Sequence, residues 1–224
     1  MLSAISAVKL TFMSKQRPVS IILASASLRR RQLLAEAGYK FTVFSPDIDE
    51  SAFPAKGVKA CEYAERLALA KARNVAEKHP DCLVIGADTV ADFNGEIIGK
   101  PADPTEAEQI TRKLFSGPHK VITAVAIVRS GRALCPPAGR RRRAASARNP
   151  VELVESEATT VYPRKLTAEQ IREHIKSESW RDKAGAYAIK ESGDEFVERI
   201  DGSLTNVMGL PMALLQRLLK KVVD

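Results

Sequence analysis

Apolar positions along this chain change their spacing repeatedly, from unbroken runs to helical stripes and back. Residues 19–24 form an apolar run of strand length. Ser27 then reads as an N-cap for a helix over residues 28–37, with Leu33 and Leu34 inward and Gly38 as its stop. A short strand follows at residues 41–44, and Pro46-Asp47 opens a loop. Residues 61–78 read as a long amphipathic helix with Tyr63, Leu67, Ala70 and Asn74 along its stripe. Residues 83–87 are a buried strand ending in Asp88-Thr89, and Asn94-Gly95 signals a hairpin. Thr105 with Glu108 has the spacing of a capping box for a helix to about Leu114. Strands are expected at residues 121–128, 158–162 and 196–200, and helices from Thr167 with Gln170 to about Lys176 and over residues 212–222. This alternation predicts an α/β fold, a mixed sheet covered by helices, with a later portion forming a second lobe across a cleft.

Composition narrows the class without naming a function. A chain of 224 residues that is 45% hydrophobic can bury a useful core. No apolar run approaches the ~20 residues needed to span a bilayer, so no membrane partner is expected. The net charge of +8 is concentrated, because seven arginines and no acid lie between Arg129 and Arg148; without them the balance is +1. Flanked by Pro136, Pro137 and Gly139, this block reads either as a solvated loop or as an arm for RNA or phosphate. Cys61, Cys82 and Cys135 are widely spaced and lack a nearby histidine pair, which suits free thiols in a reducing cytoplasm. Residues 1–18 read as a disordered extension reaching upstream of Met13, and residues 19–224 as one catalytic domain interrupted by the basic loop at about 129–150.

Candidate chemistry gathers at element ends. In Ser25-Ala26-Ser27-Leu28-Arg29-Arg30 a buried strand turns directly into a helix, which brings free backbone N–H groups, two hydroxyls and two guanidinium forks to one spot. This is an anion site, or else an ordinary cap followed by exposed arginines. Asp88 lies where open α/β sheets place their sites. The acidic run Asp47-Ile48-Asp49-Glu50 offers hard oxygen ligands of the kind that suit Mg²⁺ or Mn²⁺ beside phosphates. Lys71 interrupts an Ala/Leu-rich helix face, and Lys100 precedes Pro101. Taken together, cations for phosphates and acids for metal and water form the inventory of phosphoanhydride hydrolysis.

The segments SASLRRRQLL, DIDES, LALAKA, IGADTV, GKP, HKVITAV, DKAGAYAI and DGSLTNVMGLP, in that order, resemble the Maf-like nucleoside triphosphate pyrophosphatases. The resemblance implies a mixed-sheet α/β fold with a cleft, similar in outline to the house-cleaning inosine triphosphatases. It also implies hydrolysis of a nucleoside triphosphate to the monophosphate and pyrophosphate, a divalent metal and a homodimer. By motif position the general base falls on Asp88, and other catalytic or phosphate-binding roles on Ser25, Arg29, Arg30, Glu50, Lys71 and Lys100, with Ser27 beside them. Glu50 and Asp88 would hold the metal. Thr89 and the DKAGAYAI stretch resemble the dTTP/UTP branch, and base choice falls on Arg29, Thr89 and Lys190. The chain departs from that branch at Lys190, where the branch has Gln, and from the usual first motif at Leu28, where Pro is expected. The alternatives are the same chemistry with another base, such as 7-methyl-GTP or a broad range, and a nucleic-acid-binding regulator using the arginine block.

Overall fold

A computed structural model describes residues 19–131, 149–181, 183–187, 189 and 196–223. The chain runs β1 (Ile21–Ala24), α1 (Leu28–Glu36), β2 (Phe41–Val43), α2 (Ala60–Lys78), β3 (Leu83–Phe93), β4 (Glu96–Ile98) and α3 (Pro104–Leu114). It continues with β5 (His119–Arg129), β6 (Val151–Pro163), α4 (Ala168–Lys176), β7 (Val197–Asp201), α5 (Leu204–Val207) and α6 (Met212–Val223). Short 3-10 turns sit at Glu50–Ala52 and Ala184–Ala186. The seven strands form one mixed sheet in the order β2-β1-β3-β5-β6-β7, with β4 paired to β3. β1 is parallel to both its neighbours, and every other pairing is antiparallel. The expected α/β mixed sheet is therefore present.

Local signals explain most boundaries. The Ser27 hydroxyl accepts from Arg30 N at the start of α1, and Leu33 and Leu34 face inward. Thr167 and Gln170 form a reciprocal capping box at α4. The start of α3 differs from the Thr105–Glu108 expectation. Asp103 is the cap, its side chain accepts from Glu106 N, and Pro104 takes the first turn, where a missing N–H costs nothing. β6 begins at Val151, earlier than residue 158, because its acids have long-range partners: Arg73 binds Glu152 on one face, and Arg217 and Lys221 bind Glu155 on the other.

The sheet has a different cover on each side. On one face, Ile22, Val84, Val90, Ile122 and Ala126 pack against α2. On the other, Leu23, Ile85, Val125 and Ile127 meet Leu33 and Leu34 of α1 and Leu214, Leu215 and Leu218 of α6. The stripe of α2 is rotated from the expected Tyr63–Leu67–Ala70–Asn74 line: Ala60, Ala64, Leu67, Ala68, Lys71, Ala72, Val75 and Ala76 are the buried positions. Small residues win there because the helix lies tight against the sheet. A Cβ added at Gly86 would stand 2.4 Å from Ala68 O and 2.9 Å from Ala72 Cβ.

One gap in this architecture positions the chemistry. β1 flanks β3 only as far as Gly86, opposite Ala24, and the pairing with β4 starts only at Ala91, opposite Ile98. Between them, residues 87–90 pair with β5 on one side and, among the described residues, have no strand on the other. The edge of β3 thus carries a notch, bordered by the turn after β1 and by Gly99-Lys100 after β4. β3 does not end at Ala87 as the sequence predicts; Asp88 and Thr89 lie mid-strand, at this notch.

Candidate active site

Asp88 is buried, facing α2, where its Oδ1 lies 2.5 Å from Lys71 Nζ. The same ammonium lies 2.8 Å from Glu50 Oε1. Lys71 and Asp88 are nearly inaccessible, whereas the Glu50 side chain is 46% exposed. Asn74 holds the acidic loop against α2: its Oδ1 accepts from Asp47 N at 3.0 Å and its Nδ2 donates to Asp47 O at 2.9 Å. Asp49 caps the 3-10 turn, accepting from Ser51 N and Ser51 Oγ, which holds its carboxyl below the usual range. Of the acidic run, Glu50 is the member that reaches Lys71.

Electrostatics separate the two carboxylates. Burial pushes the Asp88 carboxyl above its ordinary value, against the pull of Lys71 and Arg30 and with help from Glu50. Burial also pushes Glu50 up, but the Lys71 hydrogen bond and the charges of Lys71, Lys100 and Arg30 outweigh it and hold that carboxyl low. Lys100 is exposed, and its charge is felt at Glu50 across the notch. Tyr63 is pushed up by burial and by Asp88 and Glu50. It belongs to this surrounding, whereas the sequence placed it only on the apolar stripe of the helix.

The turn after β1 forms the opposite border. Ser25 is buried, and its Oγ accepts from Ser27 N at 3.2 Å and from Arg30 Nη1 at 3.4 Å. Arg30 also donates to Gly209 O at 2.7 Å, Ala87 O at 2.9 Å and Thr89 Oγ1 at 2.9 Å. A guanidinium has five N–H donors, so these contacts leave Arg30 one for a ligand. Burial lowers its pKa, opposed by Asp88 and Glu50. Arg29 instead reaches Ile189 O at 3.0 Å, tying the turn to the segment that precedes Lys190. Lys190 lies outside the described residues, as does most of the arginine block.

Sequence reasoning missed the far side of the notch. Thr89 Oγ1 lies 2.9 Å from Thr123 Oγ1, which donates to Asn206 O at 2.8 Å. Thr123 and Asn206 are fully buried. The available signal was a polar residue inside the apolar run of β5 and an asparagine just before the last helix.

Among the described residues no group of three or more His, Cys, Asp or Glu side chains converges for a metal. Glu50 and Asp88 nevertheless offer hard oxygens to one common cation, the ammonium of Lys71, and so fit a divalent ion that takes its remaining ligands from phosphates and water. An open depression of about 780 Å³ lies elsewhere, near the N-terminus of α2, lined by Lys59, Asp92, Lys120 and Ile122. The buried charges lie instead at the notch.

Residues 20–222 match the sequence model of the family described as Maf-like protein. The chain belongs to the Maf family. This Maf chain is 41% identical over 193 residues to a dTTP/UTP pyrophosphatase of Citrifermentans bemidjiense, covering 86% of this chain and 90% of the relative. It is 39% identical over 192 residues to the dTTP/UTP pyrophosphatase of Symbiobacterium thermophilum, covering 86% and 88%. The solved structure of the Staphylococcus aureus Ham1 protein covers 90% of the Maf chain and 98% of its own, with 15% identity and a TM-score of 0.48, a distant likeness from which nothing about the site follows. The resemblance read from the eight motifs is thus borne out at the level of family. No helix among the described residues is long and apolar enough to cross a membrane.

Proposed function

We propose that this Maf chain is a nucleoside triphosphate pyrophosphatase that hydrolyses dTTP and UTP to the monophosphate and pyrophosphate. The observation that carries the reaction is the buried Asp88, its proton affinity raised, ion-paired through Lys71 to the more exposed Glu50 at a gap in the sheet. The two relatives described above, both dTTP/UTP pyrophosphatases, support the base class.

Asp88 takes a proton from water as the water oxygen bonds to the α-phosphorus. The bridging α–β P–O bond breaks, and pyrophosphate leaves with its electron pair. The raised carboxyl makes Asp88 a better proton acceptor than an ordinary aspartate. Lys71 screens the Asp88 and Glu50 carboxylates from each other and offsets charge on the phosphates. Lys100 on one border, and Arg29 with the Ser25–Ser27 turn on the other, neutralise and orient the triphosphate. Arg30, with most of its donors committed to protein acceptors, holds the notch in shape and gives its remaining N–H to the ligand. When bound by Glu50 and Asp88, a Mg²⁺ or Mn²⁺ ion supplies Lewis-acid polarisation of phosphate oxygens.

Thr89 is the one position between Leu83 and Ala91 that is not buried. With Arg29 and Lys190 we assign it to the base. We further read residues 19–224 as one catalytic unit, a homodimer in the cytoplasm, a compartment that suits the exposed thiol of Cys61.

The test is product release across a panel of nucleotides with Mg²⁺ or Mn²⁺. Stoichiometric pyrophosphate, with dTTP and UTP preferred, is the expected result. Release of orthophosphate would overturn the position of attack, and a purine preference would overturn the base class.

A further inference from the structure

The hydroxyl chain on the far side of the notch has a direction that follows from its ends. Arg30 Nη2 is only a donor, and it meets Thr89 Oγ1 at 2.9 Å. Asn206 O is only an acceptor, and Thr123 Oγ1 gives it a proton at 2.8 Å. The contact between Thr89 and Thr123, 2.9 Å long, can then be satisfied in one way: Thr89 donates and Thr123 accepts. The hydroxyl of Thr89 has no proton left for a ligand, only a lone pair.

Asn206 fixes this direction from behind. Its Nδ2 donates to Val121 O and to Thr159 Oγ1, each at 2.9 Å, and its Oδ1 accepts from Thr123 N at 3.2 Å. A carbonyl on one side and an N–H on the other leave the amide a single orientation. Fully buried groups in such a chain have no water to offer them a different partner.

We propose that Thr123 and Asn206 are positioning residues that lock the Thr89 hydroxyl as an acceptor facing the nucleotide base, and so set the choice between pyrimidines. Uracil and thymine carry an N–H at N3 and can donate to that lone pair. Cytosine carries a bare N3, so two acceptors would face each other without a proton between them. A hydroxyl free to rotate would serve both. The proposal rests on the reading of Thr89 as base-facing given above.

The experiment measures kcat/KM for UTP and CTP in the wild type and in Thr89→Val, Thr123→Val and Thr123→Ser. The UTP:CTP ratio within one protein does not depend on the fraction folded. Thr123→Val keeps the shape, and Asn206 O still accepts from Gly209 N at 2.9 Å, so the substitution leaves that carbonyl partnered. With its acceptor gone, Thr89 turns its proton toward the ligand. We expect the ratio to fall about tenfold in Thr123→Val, which is ~1.4 kcal/mol, and to stay within about twofold of wild type in Thr123→Ser. Thr123→Ala removes the same hydroxyl with less volume and replaces Thr123→Val if that protein does not fold.

An unchanged or widened ratio in Thr123→Val, with a changed one in Thr89→Val, overturns the lock while leaving Thr89 at the base. An unchanged ratio in both removes Thr89 from base recognition and the proposal with it. A fall in Thr123→Ser equal to that in Thr123→Val assigns the effect to packing and overturns the lock as well.

Discussion

Asp88 and Thr89 are neighbours in β3, yet alternation sends their side chains to opposite faces and into different chemistry. The α2 face holds an ammonium between two carboxylates, one of them on a half-exposed loop. The α1 and α6 face holds an uncharged chain of hydroxyls ending in a buried amide, with no member on an exposed loop. Charges that meet solvent can exchange partners when a polyanion arrives. A hydroxyl chain closed by a carbonyl and an arginine cannot, because each proton has one place to go. One strand therefore presents an adaptable surface and a fixed surface a single residue apart.

The adaptable side should fail most completely. Asp88→Asn should abolish pyrophosphate release while circular dichroism and nucleotide binding stay close to wild type. The amide has nearly the same volume and accepts no proton. Retention of more than about a tenth of wild-type turnover, ~1.4 kcal/mol of barrier, would remove Asp88 as the base. Lys71→Met comes next: it should cut kcat and lower the urea midpoint. Removing one member of a buried pair leaves the other uncompensated, at a cost of about 3–5 kcal/mol. An unchanged midpoint would show that Asp88 is already neutral in the folded protein.

A smaller effect is expected in the pH profile. Because the folded Asp88 carboxyl lies above 3.8, the acid limb of kcat/KM should lie above that of an ordinary aspartate. The Glu50 charge contributes to that rise, so Glu50→Gln should move the limb toward lower pH. Stability has the opposite sign at the two sites. Glu50 is held below 4.5, so its contribution is complete above that pH and lost as pH falls through the folded value. At Asp88 a cost is present above the folded value and is relieved as pH falls. An acid limb unmoved in Glu50→Gln would separate the two carboxylates.

The smallest effect should come from the arginine block. Arg129 pairs with Val151 and donates to Asn149 O at 3.0 Å, so both ends of the block meet at one end of β5 and β6. Asp88 pairs with Ala124, five residues back along β5 and about 17 Å away at strand rise. Deleting residues 140–148 should leave kcat for a free nucleotide within about twofold while weakening salt-sensitive adsorption to RNA. A large loss of kcat in a folded protein would bring the block to the notch.

Legibility in the sequence followed the range of each interaction. Ser27, Leu33, Leu34, Thr167 and Gln170 act within one helical turn, and their spacing announced them. The apolar run stops at Ala87, and an aspartate is costly inside a buried strand. Lys71, 17 residues away, offsets part of that cost, and no local pattern shows it. The stripe of α2 was misjudged for a related reason. Tyr63 has the bulk expected of an inward residue, but the sheet comes so close that the buried line is mostly alanine. Among site residues, Asp88, Glu50 and Lys71 were legible as types and motifs, and the structure brings them onto one ammonium. Thr123 and Asn206 sit 83 positions apart, and a threonine in a strand is ordinary until its partner is seen.

The length of the Lys71–Asp88 contact is gauged by an atom that is missing. Gly86 and Asp88 face the same side of β3, and α2 rests on Gly86 with no room for one more carbon. A methyl there would act as a shim, lifting the helix that carries Lys71 away from the strand that carries Asp88. The closeness of the ion pair is thus set by a spacer of zero thickness, at a residue that has no side chain and no charge. A catalogue of reactive groups would pass over it, although the tolerance of the whole charged cluster is machined at that point.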